Sequence, residues 1–356
     1  MGFKCGIVGL PNVGKSTLFN ALTASKNAEA ANFPFCTIDP NIGVVDVVDE
    51  RLDFLSKLSK SKKKIYTNIT FVDIAGLVKG ASKGEGLGNK FLSHIREVDA
   101  IIHLVRCFES DKITHVNSKI DPVNNLETIK TEIMLSDIDI IQKKLEKGKK
   151  KLLNEKEIEM LEKKLDQLNQ NKDLTTNHED ENKFLSTVGL LSIKPKIIVC
   201  NVDEESLTKG NKLTESIKSK YPNEKIVKIC ADIEDQIMGL DKNEKETFMK
   251  EIGLNKTGLN QLIREGYDLL KLDTFFTSGP EESRAWTIKK NTLAPKAASV
   301  IHTDFEKNFI RAEAVSCEDF IKFGSAEKCK ENGKLRIEGK DYIVKDGDVL
   351  YFRVNP

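Results

Sequence analysis

Hydrophobic and polar positions along the chain fall into two kinds of segment. Short apolar runs recur at Lys4–Val8, Gly43–Val48, Asn68–Asp73, Ala100–Cys107, Lys194–Cys200 and Lys225–Ala231. Compact apolar runs bounded by polar residues and glycines predict buried strands. Helical spacing fills the intervals. Ser16 to Leu22 reads as a helix directly after the first strand, and a long helical region opens at Leu126. In that region Ile138, Ile141, Leu145 and Leu152 keep heptad spacing, interrupted at Gly148, and Ile158, Leu161, Leu165 and Leu168 resume it after a charged break. Two helical pieces of this kind predict an antiparallel coiled-coil hairpin. Strands alternating with helices predict an α/β fold with a doubly wound, mainly parallel sheet, and such sheets gather ligand groups at the carboxyl ends of their strands. From about Thr277 the character changes. Gly279-Pro280 reads as a linker, and the remainder reads as a small α+β module with strands at Ala312–Val315, Lys340–Val344 and Val349–Val354 around the turn Lys345-Asp346-Gly347-Asp348.

Candidate chemistry sits at the predicted strand ends. Gly9-Leu10-Pro11-Asn12-Val13-Gly14-Lys15-Ser16-Thr17 has the Gly-x4-Gly-Lys-Ser pattern of a phosphate-binding loop, between a strand and a helix. Glycines let successive backbone N–H groups turn toward phosphate oxygens. Lys15 places a positive charge on the β- and γ-phosphates, Ser16 offers a hydroxyl to Mg2+, and the helix starting at Lys15 adds its positive end. Asp73-Ile74-Ala75-Gly76 closes a later strand. There Asp73 can hold Mg2+ through water and the Gly76 N–H can bond the γ-phosphate. Gly80, Gly84, Gly86 and Gly88 follow, predicting a loop able to order around that phosphate. Asn201-Val202-Asp203-Glu204 and Cys230-Ala231 end two further strands, so one site can collect all four segments.

Composition narrows the class without naming a partner. The chain has 356 residues, with 56 lysines and arginines against 55 acidic residues. That length allows two or three domains, and the balanced charge means that any nucleic-acid contact needs a local patch. One such patch is Gln142–Asp173, with ten lysines against seven acids, a net +3. It reads as a solvated helix face or as an arm that touches RNA or protein. Apolar runs are too short for a membrane span, and the N-terminus enters a strand directly and does not read as a signal peptide. The seven cysteines lack a Cys-x-x-Cys pair and read as reduced, mostly buried thiols of a cytosolic protein.

The motifs together resemble the YchF family, the Obg-like ATPases among the translation-factor-related P-loop GTPases. The resemblance rests on Gly6 to Thr17, Asn32-Phe33-Pro34-Phe35-Cys36-Thr37, Asp73 to Asn89, Asn201 to Glu204, Ile301 to Lys307 and Lys340 to Asp348. It implies a GTPase-like nucleotide-binding domain over 1–127 and 192–276, an inserted coiled-coil helical domain over 128–191, and a C-terminal TGS domain of β-grasp fold over 277–356. It also implies a monomeric, cytoplasmic nucleotide hydrolase that associates with the ribosome, its large subunit and ribosomal RNA. Thr37 resembles the threonine that closes over Mg2+ and the γ-phosphate, and Phe35 belongs to the same nucleotide-contacting block. Asn12 matches a position that in some relatives helps bind K+.

Base choice departs from guanine-specific relatives, which carry Asn-Lys-x-Asp where this chain has Asn201-Val202-Asp203-Glu204. Val202 replaces the lysine whose stem packs on the base, and Glu204 replaces the aspartate by a longer carboxylate. A site tuned to a bidentate hydrogen bond tolerates that poorly, so ATP is expected over GTP, with a GTP-specific GTPase as the alternative. Asn201 is expected to tie the base loop to the phosphate loop. Leu77 stands where a water-orienting glutamine is common. A slow basal rate follows, with His115 the candidate to position water; His103 reads as core, and His94 and His302 lie elsewhere. Leu77 also leaves open a non-catalytic, nucleotide-gated adaptor. A small-molecule kinase lacks support, having no evident substrate lid.

Overall fold

The computed structural model describes residues 3–23, 41–74, 87–109, 120–148, 153–176, 179–254 and 256–355. The chain divides into two compact units, Phe3–Val44 with Thr70–Gly266, and Val45–Ile69 with Tyr267–Pro356. Strands β1 (Phe3–Val8), β2 (Asn41–Val47), β3 (Lys63–Ile65), β4 (Thr67–Asp73), β5 (Ala100–Arg106), β6 (Lys196–Asn201) and β7 (Lys225–Ile229) come first along the chain. All but β3 join one six-stranded sheet in the order β2-β4-β1-β5-β6-β7. β1, β5, β6 and β7 pair in parallel, and His103 of β5 stands opposite Val8 on one side and Ile198 on the other. The expected parallel sheet is therefore present, with crossovers carried by helices.

Helices α1 (Lys15–Thr23), α2 (Glu50–Leu58), α3 (Leu87–Glu97), α4 (Pro122–Gly148), α5 (Glu155–Asn169), α6 (Glu179–Val188), α7 (Glu204–Lys209), α8 (Lys212–Lys220) and α9 (Ala231–Met238) bracket these strands. One core cluster joins Val8, Val72, Ile74, Phe91, Ile95 and Ile101. A second joins Val105, Leu126, Ile198, Ile217 and Ile233. Each such side chain contributes about 1.5–3 kcal/mol by leaving water, which fixes the strand ends in place. The predicted heptad positions do pack: Ile141, Leu145, Leu161 and Leu168 share one cluster with Met134 and Leu185. Lys130 near the start of α4 pairs with Asp173, just past α5, at 2.9 Å, so the chain doubles back. Asn154 and Glu157 close a reciprocal cap at the start of α5. Leu152 lies outside the described residues.

The second unit holds a six-stranded sheet in the order β11-β10-β12-β8-β9-β3. Its later strands are β8 (Leu272–Ser278), β9 (Glu282–Lys289), β10 (Phe309–Ser316), β11 (Arg336–Glu338) and β12 (Asp348–Val354). Alternation sends neighbours to opposite faces. Phe275 and Leu350 join Phe309 and Ile288, whereas Phe276 and Val349 join Leu52 and Leu55 of α2. α2 is held by Arg51, which pairs with Asp49 at 2.7 Å and Asp346 at 2.6 Å and lies over the Phe276 ring. The resemblance implied that 45–69 belongs to the nucleotide-binding domain; here the segment packs within the C-terminal unit and completes its core. Leu55 is fully buried, so Leu55→Ala will destabilise this unit by about 2–5 kcal/mol. Fluorescence of the single tryptophan, Trp286, during urea unfolding measures it.

Two local expectations need correction. Gly279-Pro280 is no linker: it lies in the turn between the antiparallel strands β8 and β9, closed by the Gly279 N–H donating to the Glu282 carbonyl at 3.0 Å. Glycine and proline mark tight turns as readily as linkers. Lys340–Val344 forms no strand, only an isolated bridge between Ile343 and Leu293. Its alternation arises because Val344 anchors inward and the Tyr342 hydroxyl donates to Asp348 at 2.7 Å, while Ile343 stays exposed.

Candidate nucleotide site

The phosphate loop leaves β1 at Val8 and passes into α1 at Lys15. Asn12 and Gly14 take left-handed backbone conformations, with φ of 64° and 90°. A side chain at Gly14 would run into the Asn201 carboxamide, and one at Gly9 would meet the Leu104 carbonyl oxygen at 2.8 Å. Gly14 is thus demanded twice, by backbone angle and by space, and Gly9 by space. Val13 is buried, which seats the loop, while Asn12 and Ser16 are exposed and Thr17 is half-buried in the first helical turn. Lys15 Nζ donates to Asp73 Oδ1 at the end of β4. The two side chains are 14% and 11% exposed, so this pair is substantially screened from water. The loop lysine and the strand-end aspartate, more than fifty positions apart in sequence, therefore meet at one point, with the Ser16 hydroxyl nearby at the helix start.

Asn201 is the centre of the arrangement. It is 4% exposed. Its Nδ2 donates to the Val13 carbonyl at 3.0 Å, and its Oδ1 accepts from the Ala231 N–H at 3.1 Å. One carboxamide thus ties the phosphate loop, the end of β6 and the start of α9 together. The expected link between base loop and phosphate loop is present, and it extends to Ala231. Val202 is buried, its N–H donating to the Ile229 carbonyl at 2.8 Å. Cys230 precedes α9 and is buried, and burial pushes its thiol pKa up. Glu204 is exposed at the first position of α7.

Two features of this region escaped sequence reasoning. Asp203 caps α7, its carboxylate accepting from the Ser206 N–H at 2.8 Å. Asn211 donates its amide to the Cys107 carbonyl at 2.7 Å and to the Ser206 hydroxyl at 3.1 Å, bracing the loop from outside. The signal for both was cap chemistry: Asp and Asn directly before short helical stretches. Phe35, Thr37, Gly76, Leu77 and His115 lie outside the described residues.

His103 is buried in β5, as its strand suggested. Burial, reinforced by the Lys196 ammonium, pushes its pKa down to about 3. The unfolded chain takes up a proton near pH 6.5 that the native state refuses until about pH 3. Stability conferred by the neutral imidazole is therefore present above pH 6.5 and is lost as pH falls, by at most about 1.4 kcal/mol per pH unit. His103→Phe will flatten that slope in urea titrations between pH 7 and pH 4.5.

The donor set of the site suits one kind of metal. Among the described residues no cluster of three or more His, Cys, Asp or Glu side chains could enclose an ion. A hydroxyl and one carboxylate beside a phosphate loop fit Mg2+, which keeps waters and phosphate oxygens in its shell.

Comparison with known proteins agrees with this geometry. Residues 4–164 match a family described as 50S ribosome-binding GTPase. Residues 272–355 match the YchF-GTPase C-terminal family, described as a protein of unknown function. The chain is 50% identical over 367 residues to the ribosome-binding ATPase YchF of Haemophilus influenzae, covering 100% of both chains. It is 48% identical over 368 residues to that of Bacillus subtilis, again covering 100% of both. The solved YchF GTPase of Schizosaccharomyces pombe superposes with a TM-score of 0.87 at 36% identity, over 99% of this chain and 98% of that one. The phosphate loop, the Asn201 clamp and the shared C-terminal unit sit in a chain that matches these relatives from end to end, and it belongs to the YchF family.

Proposed function

We propose that this protein is a Mg2+-dependent ATPase that associates with the ribosome and acts as a nucleotide-operated switch in translation or stress response. The observation that carries the reading is the convergence of Lys15, Asp73 and the Asn201 clamp at the carboxyl ends of β1, β4 and β6 of one sheet. Lys15 would neutralise the β- and γ-phosphates, and loop N–H groups and the α1 dipole would hold their oxygens. Ser16 and Asp73, with Thr37, would hold Mg2+, which would supply charge neutralisation at the transferring phosphoryl group. Gly76 would sense the γ-phosphate. Asn12 is a candidate K+ contact and Phe35 a nucleotide contact. His115 is the candidate to position water, since Leu77 cannot; unchanged kcat in His115→Ala would remove that role.

Adenine is preferred in this reading. The Asp203 carboxylate accepts as a helix cap, Val202 is buried, and Glu204, in the place of the guanine-reading aspartate, is exposed at the start of α7. Side-by-side titration with ATP and GTP, each with and without Mg2+, is the deciding experiment: tenfold tighter GTP binding would overturn the adenine reading. Val202→Lys combined with Glu204→Asp is expected to move the ATP-to-GTP preference at least about tenfold toward GTP.

The ribosome reading rests on the relatives, which are named ribosome-binding ATPase YchF. The helical hairpin at 128–191, as a coiled-coil arm, and the C-terminal unit, as a β-grasp TGS domain over 277–356, are the surfaces assigned to the large subunit and its RNA. The parallel pairing of β12 with the β8–β9 hairpin supports the β-grasp assignment. The protein is read as a monomer of the cytoplasm with no membrane role; no described helix is long and apolar enough to cross a membrane. Cosedimentation with ribosomes in ATP, ADP or no nucleotide tests the association.

A further inference from the structure

None of the nucleotide-site residues lies on α2 or on the turn that follows it. Five lysines fall there within eight positions, Lys57, Lys60, Lys62, Lys63 and Lys64, and all five are exposed. Backbone bonds fold the turn back on the helix end. The Lys60 N–H donates to the Lys57 carbonyl at 3.2 Å, and the Ser61 N–H to the Ser56 carbonyl at 2.9 Å. Lys64 of β3, the edge strand of its sheet, then reaches back to the Asp53 carboxylate of α2. Helix end, turn and strand edge therefore make one surface.

Beside the lysines the helix leaves two large apolar side chains in water. Leu52 and Leu55 enter the core, but Phe54 is 50% exposed and Leu58 38% exposed. Their spacing of four sets them side by side along the helix, and Lys57 shares their face. Charge on this surface is only partly balanced. Asp53 is taken by Lys64 and the Tyr66 hydroxyl. Lys62 pairs with Glu281 at 2.7 Å, but both side chains are mostly in water, so the pair holds weakly. Glu282, opposite Lys63 across the β3–β9 ladder, lies 4.0 Å from Arg284. Lys57, Lys60 and Lys63 form no ion pair among the described residues. Glu50 is the acid on the exposed helix face, at its far end.

We propose that this surface docks an acidic, amphipathic segment of a protein partner, with its apolar side chains on Phe54 and Leu58 and its carboxylates among Lys57, Lys60, Lys62 and Lys63. Unpaired ammonium groups select carboxylates, and an exposed aromatic ring supplies an anchor at their centre. Lysines after a helix end and on a sheet edge also have structural uses, since they offset the helix dipole and keep edges from pairing. Neither use places Phe54 and Leu58 in water beside them. An RNA backbone would engage the lysines alone and leave the apolar pair wet. A lipid surface calls for a broader apolar face than two side chains, and Leu52 and Leu55 are committed to the core. The surface lies in the second unit and holds none of the residues assigned to ATP or Mg2+, so docking here does not depend on the nucleotide reading.

The test uses the full chain and a labelled synthetic helix with leucines along one face and glutamates on the others, beside a scrambled peptide of the same composition. Fluorescence anisotropy should show saturable binding of the ordered peptide and at least about fivefold weaker binding of the scrambled one. Affinity should fall as salt rises. Lys57→Glu, Lys60→Glu and Lys63→Glu made together should weaken the ordered peptide at least about tenfold, and Phe54→Ser alone at least about fivefold. Both variants alter exposed positions, and unchanged ATP turnover and urea midpoints report that they fold. No saturable binding, equal binding of the scrambled peptide, or full affinity in either variant would overturn the proposal. So would an oligouridylate or phosphatidylserine vesicles that bind more tightly than the ordered peptide and lose that binding in the triple variant.

Discussion

Lys15→Met will lower kcat/KM for ATP by about 10²–10³-fold, the scale of removing one preorganised donor from a developing charge. The side chain reaches Asp73 from the first residue of α1 and is largely screened from water. Methionine keeps the length and apolar stem of lysine but carries no charge. The loss should therefore appear in binding of ATP and ADP and not of adenosine, which has no phosphate to meet the ammonium. Isothermal titration with all three ligands makes the distinction; an equal loss for adenosine would mean that the loop had misfolded. Lys15→Arg should not rescue activity, because the wider guanidinium does not reproduce a compact ammonium in a tight loop.

Asn201→Ala should cost about 2–6 kcal/mol of stability and weaken nucleotide binding at least about tenfold. The alanine leaves two buried backbone groups, the Val13 carbonyl and the Ala231 N–H, without partners. Each orphaned group costs about 1–3 kcal/mol. Because the same two bonds hold the phosphate loop to the base loop, stability and affinity should fall together. Asn201→Asp separates the two contributions. It keeps an acceptor for Ala231 but sets a carboxylate against the Val13 carbonyl, so affinity for a nucleotide anion should drop further than in the alanine variant. Urea midpoints and ATP titration on both variants are the measurements; unchanged affinity in Asn201→Ala would separate the clamp from the nucleotide.

What sequence pattern reveals here follows from how local each constraint is. The phosphate loop is legible because its glycines, lysine and serine act within nine consecutive residues. Asp73 and Asn201 are legible because strand ends in a parallel sheet converge wherever the rest of the sheet places them. The heptad leucines of α4 and α5 announce a buried stripe, and that stripe is present. Leu52 and Leu55 of α2, three positions apart, say only that one face is buried. Their partners, Phe276, Val315 and Val349, lie far along the chain, and no local rule selects them. The cap role of Asp203 was hidden inside the Asn201–Glu204 motif because side-chain capping draws on the same residue types as ligand binding. The unpaired Nε2 of His103 was hidden too, since periodicity reports burial and not hydrogen-bond partners.

The placement of α2 also sets a timetable for synthesis. Ser59 and its partner Ser278 are 219 positions apart, and Leu52 and Leu55 lie in the same helical segment. At about 5–20 residues per second, that interval lasts about 10–45 s. Throughout it α2 has been synthesised while the later strands that cover its apolar face are incomplete. A nascent chain arrested anywhere between these points carries an uncovered leucine pair, a ready target for chaperones, and full-length release is the event that buries it.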